Sequence, residues 1–192
     1  MKPTKWQLVS AEDISPSKWF PLERRVYKLP NGTIVEDFTV TTLDDFSMII
    51  PVTVDKKIVF VNQYKPGVDE VILQFPAGRS EPKYESMDEL ARHELEEEVV
   101  GIKAQPQQLT KFARFNCFST KASEVVHMYL AVECEFNSKQ NLDSTENIEV
   151  VAVTPHELDE LVLQNKIWCS QSAADWELTK KKFPDNLADN YS

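Results

Sequence analysis

Short apolar runs broken by turn residues govern the first half of the chain. Arg25-Val26-Tyr27-Lys28 and Thr33-Ile34-Val35 flank Pro30-Asn31-Gly32. An Asn-Gly pair accepts the positive φ of a tight turn, so residues 22–40 are predicted to form an antiparallel hairpin. Residues 47–53, 58–63 and 70–75 are rich in Val and Ile and are separated by Asp55-Lys56-Lys57 and Pro66-Gly67. They are predicted to be strands, because β-branched side chains suit a pleated, half-buried surface and Pro-Gly punctuates it. From residue 85 to about 99 the texture changes to Met, Leu, Ala, Glu and Arg without Gly or Pro, which predicts a helix. Strands are expected again at 125–133 and 149–153, while 112–124 carries few regular signals and is expected to be partly loop.

The C-terminal part reads as helical. Thr154-Pro155-His156-Glu157 places a capping residue, a proline at the first helical position and a glutamate able to close a capping box. Leu158, Leu161 and Val162 supply the apolar stripe. A last helix is expected over 172–183, stopped by Pro184, with a frayed tail at 185–192. Strands interleaved with helices in this way predict an α/β (α+β) fold.

A length of 192 residues with 42% hydrophobic positions suits one domain with a full core. The net charge of -10 opposes binding to a nucleic acid polymer, which rests on Lys and Arg displacing counterions. A small anionic substrate stays open if a metal or a local cationic cluster offsets the repulsion. Cys117, Cys134 and Cys169 are far apart and odd in number, so neither a disulfide framework nor a zinc motif is expected and a cytoplasmic setting is. The longest apolar run, Met128-Tyr129-Leu130-Ala131-Val132, falls far short of the roughly 20 residues a membrane span needs. No signal peptide and no membrane association are expected.

The chemistry concentrates in the predicted helix. At about 100° per residue, Met87, Leu90, Ala91, Leu95 and Val99 form one apolar arc, and Glu94 and Glu98 fall inside it with Glu97 at its edge. Carboxylates four residues apart repel, and the negative end of the helix dipole adds to the cost. No Lys or Arg follows them at three or four residues. A divalent cation is therefore the expected compensation, and oxygen-only ligands indicate Mg²⁺, with Mn²⁺ as the alternative.

Gly78, Glu85 and the run His93-Glu94-Leu95-Glu96-Glu97-Glu98 together resemble the signature box of the Nudix hydrolases. The flanks resemble the branch that contains the ADP-ribose and nucleoside diphosphate sugar pyrophosphatases, through Leu29-Pro30-Asn31-Gly32, Asn62-Gln63-Tyr64-Lys65-Pro66, Phe75-Pro76-Ala77-Gly78 and Glu146-Asn147-Ile148-Glu149-Val150. The likeness runs from about Trp19 to Trp168. It implies a Nudix-type mixed β-sheet between helices over residues 46–184, preceded by a strand region at 1–45 that pairs two copies into a homodimer.

The resemblance also implies roles. Glu94 and Glu98 would be metal ligands, Glu97 a further ligand or a holder of metal-bound water, and the Ala77 carbonyl would complete the site. Glu146 would be the general base. Lys65 and Arg79 would meet phosphates, and Trp19 and Tyr27 would stack on a base across the dimer. Gly78, Glu85 and His93 would support the site. The implied reaction is Mg²⁺-dependent hydrolysis of ADP-ribose or a related nucleoside diphosphate derivative to a nucleoside monophosphate and a sugar phosphate.

The departures from the pattern are specific. Six residues rather than five separate Gly78 from Glu85, His93 stands where the family has Arg, Val100-Gly101 shifts the box glycine by one place, and Lys65 replaces an Arg. His93 and the shifted glycine motivate another reading, a Nudix-fold module that binds a nucleotide with weak or lost catalysis; a further alternative is a scaffold with an acidic helix and no nucleotide affinity.

Overall fold

A computed structural model describes residues 2–99, 108–135 and 147–187, without the Glu98 side chain. It contains two compact units, one made of residues up to Asp45 with Phe115–Val125, the other of Phe46–Arg114 with Val126 onward.

The first unit is a three-stranded antiparallel sheet, β1 (Gln7–Asp13), β2 (Leu22–Lys28) and β3 (Ile34–Thr41), in that order. The expected hairpin is β2–β3, closed by Gly32 at φ 87°. β1 adds a third strand that the sequence pattern concealed, because all its residues are exposed and none records a buried face. The segment 115–125 joins β3 at Thr41, whose N–H donates to the Lys121 carbonyl at 2.7 Å and whose carbonyl accepts from Ser123 N–H at 3.2 Å. Asn116 cinches this segment by donating its amide to the carbonyls of Ala122 and Glu124.

The second unit holds a mixed sheet. Its main path runs β10 (Ile148–Val153), β5 (Ile58–Lys65), β4 (Phe46–Thr53), β9 (Val125–Cys134), β8 (Leu109–Asn116). β4 and β9 are parallel, with Ile49 opposite Tyr129. Pro51 sits in this central strand next to a register shift, the one kind of place where a residue without an N–H fits a ladder. β8 extends to Asn116, so the stretch expected to be partly loop is strand in its first third and irregular from Cys117. Lys111 and Arg114 within it mask the strand pattern.

β6 (Glu70–Gln74) and the three-residue β7 (Ala77–Arg79) share a continuous piece of chain that changes partners. Gln74 pairs with Val61 of β5, whereas Ala77 pairs with Met48 of β4. The crossing at Phe75-Pro76 takes the Phe75 N–H out of the ladder, and Ser172 Oγ accepts it at 3.0 Å. Pro76 has no N–H to satisfy, and its carbonyl accepts from Ile49 at 3.0 Å.

Helices cover both faces. α1 (Met87–Glu98) packs Ala91 and Leu95, with the capping Val99 just after it, against Ile49, Val59, Val61 and Tyr129. It starts at Met87, two residues later than expected, because Ser86 caps it by accepting from Glu89 N–H. Successive strand residues face opposite ways, and on the other face Met48 meets Ser172 of α3 (Ser170–Lys182). α3 begins two residues before the expected Ser172. α2 (Pro155–Leu163) has the predicted capping box at Thr154 and Glu157. Asp159 of α2 ties to α3 by accepting from Trp176 Nε1 at 2.6 Å and from Lys180 Nζ at 2.7 Å.

Two buried α3 side chains stand out. Neither carboxyl oxygen of Asp175 nor Thr179 Oγ1 has a hydrogen-bond partner among the described residues. Burial pushes the Asp175 carboxyl up to about 8, because a charge without partners is disfavoured in an apolar surround. No helix among the described residues is long and apolar enough to cross a membrane.

Candidate active site

Partner exchange between β6 and β7 brings Ala77, Gly78 and Arg79 alongside α1. Gly78 is the closest point of approach: a Cβ built there would overlap the carboxylate of Glu94. The glycine therefore makes room for an acid that lies half-buried across the backbone of β7. The turn of helix below it is fully covered, with Leu90, Ala91, Leu95 and Val99 at zero exposure.

Glu97 is the next acid of the helix run flagged in the sequence, and its partner precedes it. His93 Nδ1 lies 3.0 Å from Glu97 Oε2, four residues apart on the helix. The pairing runs backward along the helix, so the lack of Lys or Arg after the glutamates gives no sign of it. Tyr84 completes a small chain: its hydroxyl is 3.2 Å from the same Nδ1 and the two rings meet edge-on with centroids 5.2 Å apart. Burial, ahead of the nearby Glu94 and Glu97 charges, raises the Tyr84 phenol above its ordinary value of 10.0. Tyr84 escaped the sequence reading, although the extra residue between Gly78 and Glu85 was a signal that its loop is unusual.

Glu85 precedes the helix, and its backbone N–H donates to Glu89 Oε2 at 2.7 Å. Tyr129 reaches from β9 to Asp88, donating to Oδ1 at 2.7 Å, and so anchors the first turn of α1. Lys65 ends β5 opposite Glu70. Arg79 is exposed on β7 opposite Phe46. Glu98 closes α1, but its side chain lies outside the described residues, as do Glu146, Val100 and Gly101.

Trp19 and Tyr27 belong to the first unit. Trp19 is 79% exposed, with Lys18 Nζ 4.5 Å from its ring centroid. Tyr27 forms an edge-on trio with Trp6 and Phe38, at centroid distances of 5.8 and 5.9 Å. The trio lines a cavity of about 410 Å³ rimmed by Lys5, Arg25 and Lys121. Trp6 and Phe38 were not singled out from sequence, because isolated aromatics in strands read as packing.

The donor set suits a hard divalent ion. Glu94 and Glu97 offer oxygen ligands from one helix face and β7 offers backbone carbonyls, with no thiol among these groups. Among the described residues, three acidic, histidine or cysteine side chains do not converge into a metal cluster. The third glutamate of the run, Glu98, is outside that comparison.

No protein-family model matches the chain. It is similar to the ADP-ribose pyrophosphatase of Bacillus subtilis (strain 168), with 31% identity over 174 residues covering 90% of the chain and 91% of that protein. It is also similar to the methanol dehydrogenase activator of Bacillus methanolicus, with 29% identity over 167 residues, 85% of the chain and 86% of that protein. Among solved structures, an ADP compounds hydrolase superposes with a TM-score of 0.83 over 96% of the chain and 97% of its own, at 20% identity. At that identity the superposition carries the fold alone.

Proposed function

Since the chain belongs to the Nudix hydrolases, in their ADP-ribose pyrophosphatase branch, we propose that it hydrolyses the diphosphate of ADP-ribose or a related nucleoside diphosphate sugar, with Mg²⁺, to a nucleoside monophosphate and a sugar phosphate. The observation that carries this reading is the overlap at Gly78: the backbone gives up a side chain so that the Glu94 carboxylate can lie against β7. A merely solvated acid would need no such space. Glu94, Glu97 and Glu98, with the Ala77 carbonyl, would hold the ion. Mn²⁺ is the alternative ion, by the same oxygen chemistry. When bound, the ion neutralises diphosphate charge and acidifies water.

The remaining roles follow from the chain's own groups. His93 holds Glu97 through Nδ1, so that carboxylate is oriented before substrate arrives. Lys65 and Arg79 offer positive charge to the phosphates, and Gly78 and Glu85 shape the loop that leads into α1. Glu146 would take a proton from the attacking water. As water adds to one phosphorus, the P–O–P bridge breaks and the other phosphate leaves with the bridging oxygen. Tyr27, beside a cavity rimmed by cations, would stack on a base across the dimer.

A second copy of the chain is the proposed partner. Exposed Leu8 and Val9 on the edge strand β1, together with Trp19, support pairing through the N-terminal unit, with Trp19 stacking on a base from the partner. Cys117, Cys134 and Cys169 are in no disulfide, which suits a cytoplasmic location.

The decisive experiment incubates the purified protein with ADP-ribose, UDP-glucose, GDP-mannose and dinucleotides in Mg²⁺ and identifies products by mass. Release of a nucleoside monophosphate that stops on chelation is expected. Glu98→Gln should reduce turnover by about 100-fold or more while leaving the unfolding transition in place. Intact substrates throughout the panel, or undiminished turnover in the variant, would refute the reading.

A further inference from the structure

We propose that Tyr84 is a positioning residue for the carboxylate cluster, holding the His93 imidazole so that Nδ1 stays turned toward Glu97. The inference rests on the metal-site reading above and deepens it. A carboxylate only accepts hydrogen bonds, so Nδ1 must carry the proton in the arrangement observed, 3.0 Å from Glu97 Oε2. His93 could not keep that aim unaided. Its side chain is 42% exposed, and an exposed pair gains too little to fix two rotatable bonds against water.

Tyr84 provides the missing restraint. Its ring stands against the imidazole at 67° with centroids 5.2 Å apart, and its hydroxyl lies 3.2 Å from Nδ1. The hydroxyl oxygen can share the Nδ1 proton with Glu97 while its own proton points elsewhere. Lys83 Nζ, 4.8 Å from the Tyr84 ring centroid, covers the ring from the loop side. Two departures described above thus meet at one contact: the loop with an extra residue carries Tyr84, and the position occupied by a histidine receives it. A longer cation at 93 would reach Glu97 without help, whereas an imidazole needs a neighbour to steer it.

The test combines Tyr84→Phe and Tyr84→Ala with His93→Arg, singly and together. Mn²⁺ binding to the substrate-free protein is followed by the electron paramagnetic resonance signal of free Mn²⁺, and the His93 tautomer by nitrogen NMR of the metal-free protein. Groups that orient metal ligands typically change affinity by about 10-fold or more when removed. Tyr84→Ala should therefore weaken Mn²⁺ binding by about 10-fold and allow both His93 tautomers, with Tyr84→Phe intermediate because the ring remains. In the His93→Arg background the same changes at position 84 should have little effect. kcat should fall with KM for the diphosphate unchanged. Equal losses in both backgrounds, or Mn²⁺ binding in Tyr84→Ala as tight as in the wild type, would overturn the proposal alone. A wild-type protein that binds no Mn²⁺ would instead remove the metal-site reading, and this proposal with it.

Discussion

Gly78 shows how one residue can be decided by another far along the chain. Its backbone needs no positive φ; what it needs is emptiness, because Glu94 fills the volume a Cβ would take. Gly78→Ala should displace the Glu94 carboxylate, a flexible group that can swing aside at small cost to stability. A shift of about 1 Å in a catalytic group can cost about 100-fold. We expect kcat to drop on that scale while the melting temperature moves by only a few degrees, measured by steady-state kinetics and thermal unfolding of the same preparation. Unchanged kcat would mean that Glu94 need not lie where it does.

At the scale of elements, the β6–β7 crossing depends on a side chain from α3. Phe75 N–H has left the ladder and Ser172 Oγ accepts it inside the core. Ser172→Ala removes that buried acceptor, so a loss of about 1–3 kcal/mol is expected in denaturant unfolding. A loss within error of zero would show that the N–H finds another partner.

The same elements show what the sequence could convey. β2 through β6, β9 and β10 were legible because β-branched runs bounded by turn residues record burial, and the caps of α2 were legible because Thr154, Pro155 and Glu157 act locally. β1 has no buried face to record, β7 is too short to have a period, and β8 hides behind Lys111 and Arg114. In the candidate site, the closeness of Glu94 to Gly78 follows a phase on α1 that was readable. The Tyr84–His93 contact was not, since it depends on how a loop folds back over a helix.

Over the whole molecule, acidity and burial meet at Asp175. Its carboxyl titrates near 8 when folded but near the ordinary 3.8 when unfolded. Between those values the unfolded chain has released a proton that the folded protein keeps, so stability falls as pH rises, by at most about 1.4 kcal/mol per pH unit. The contribution is fully present below about pH 4 and is lost as pH climbs toward 8. Asp175→Asn cannot ionise and should flatten that slope. Denaturant midpoints from pH 5 to 9 for both proteins should diverge up to about pH 8 and level off above it, the variant becoming relatively more stable at the alkaline end. Parallel curves would show that Asp175 is hydrated or paired in solution.

The sheet order also sets a sequence of events during synthesis. β4 is flanked on one edge by β7 and β5 and on the other by β9, whose residues leave the ribosome some time after α1. Until then the nascent chain carries Ile49, Ile50 and Val52 on a strand with one edge bare, a template for unwanted pairing. Maturation of the second unit is therefore paced by the arrival of Val126–Cys134, and a chaperone that shields this strand would have its greatest effect in that interval.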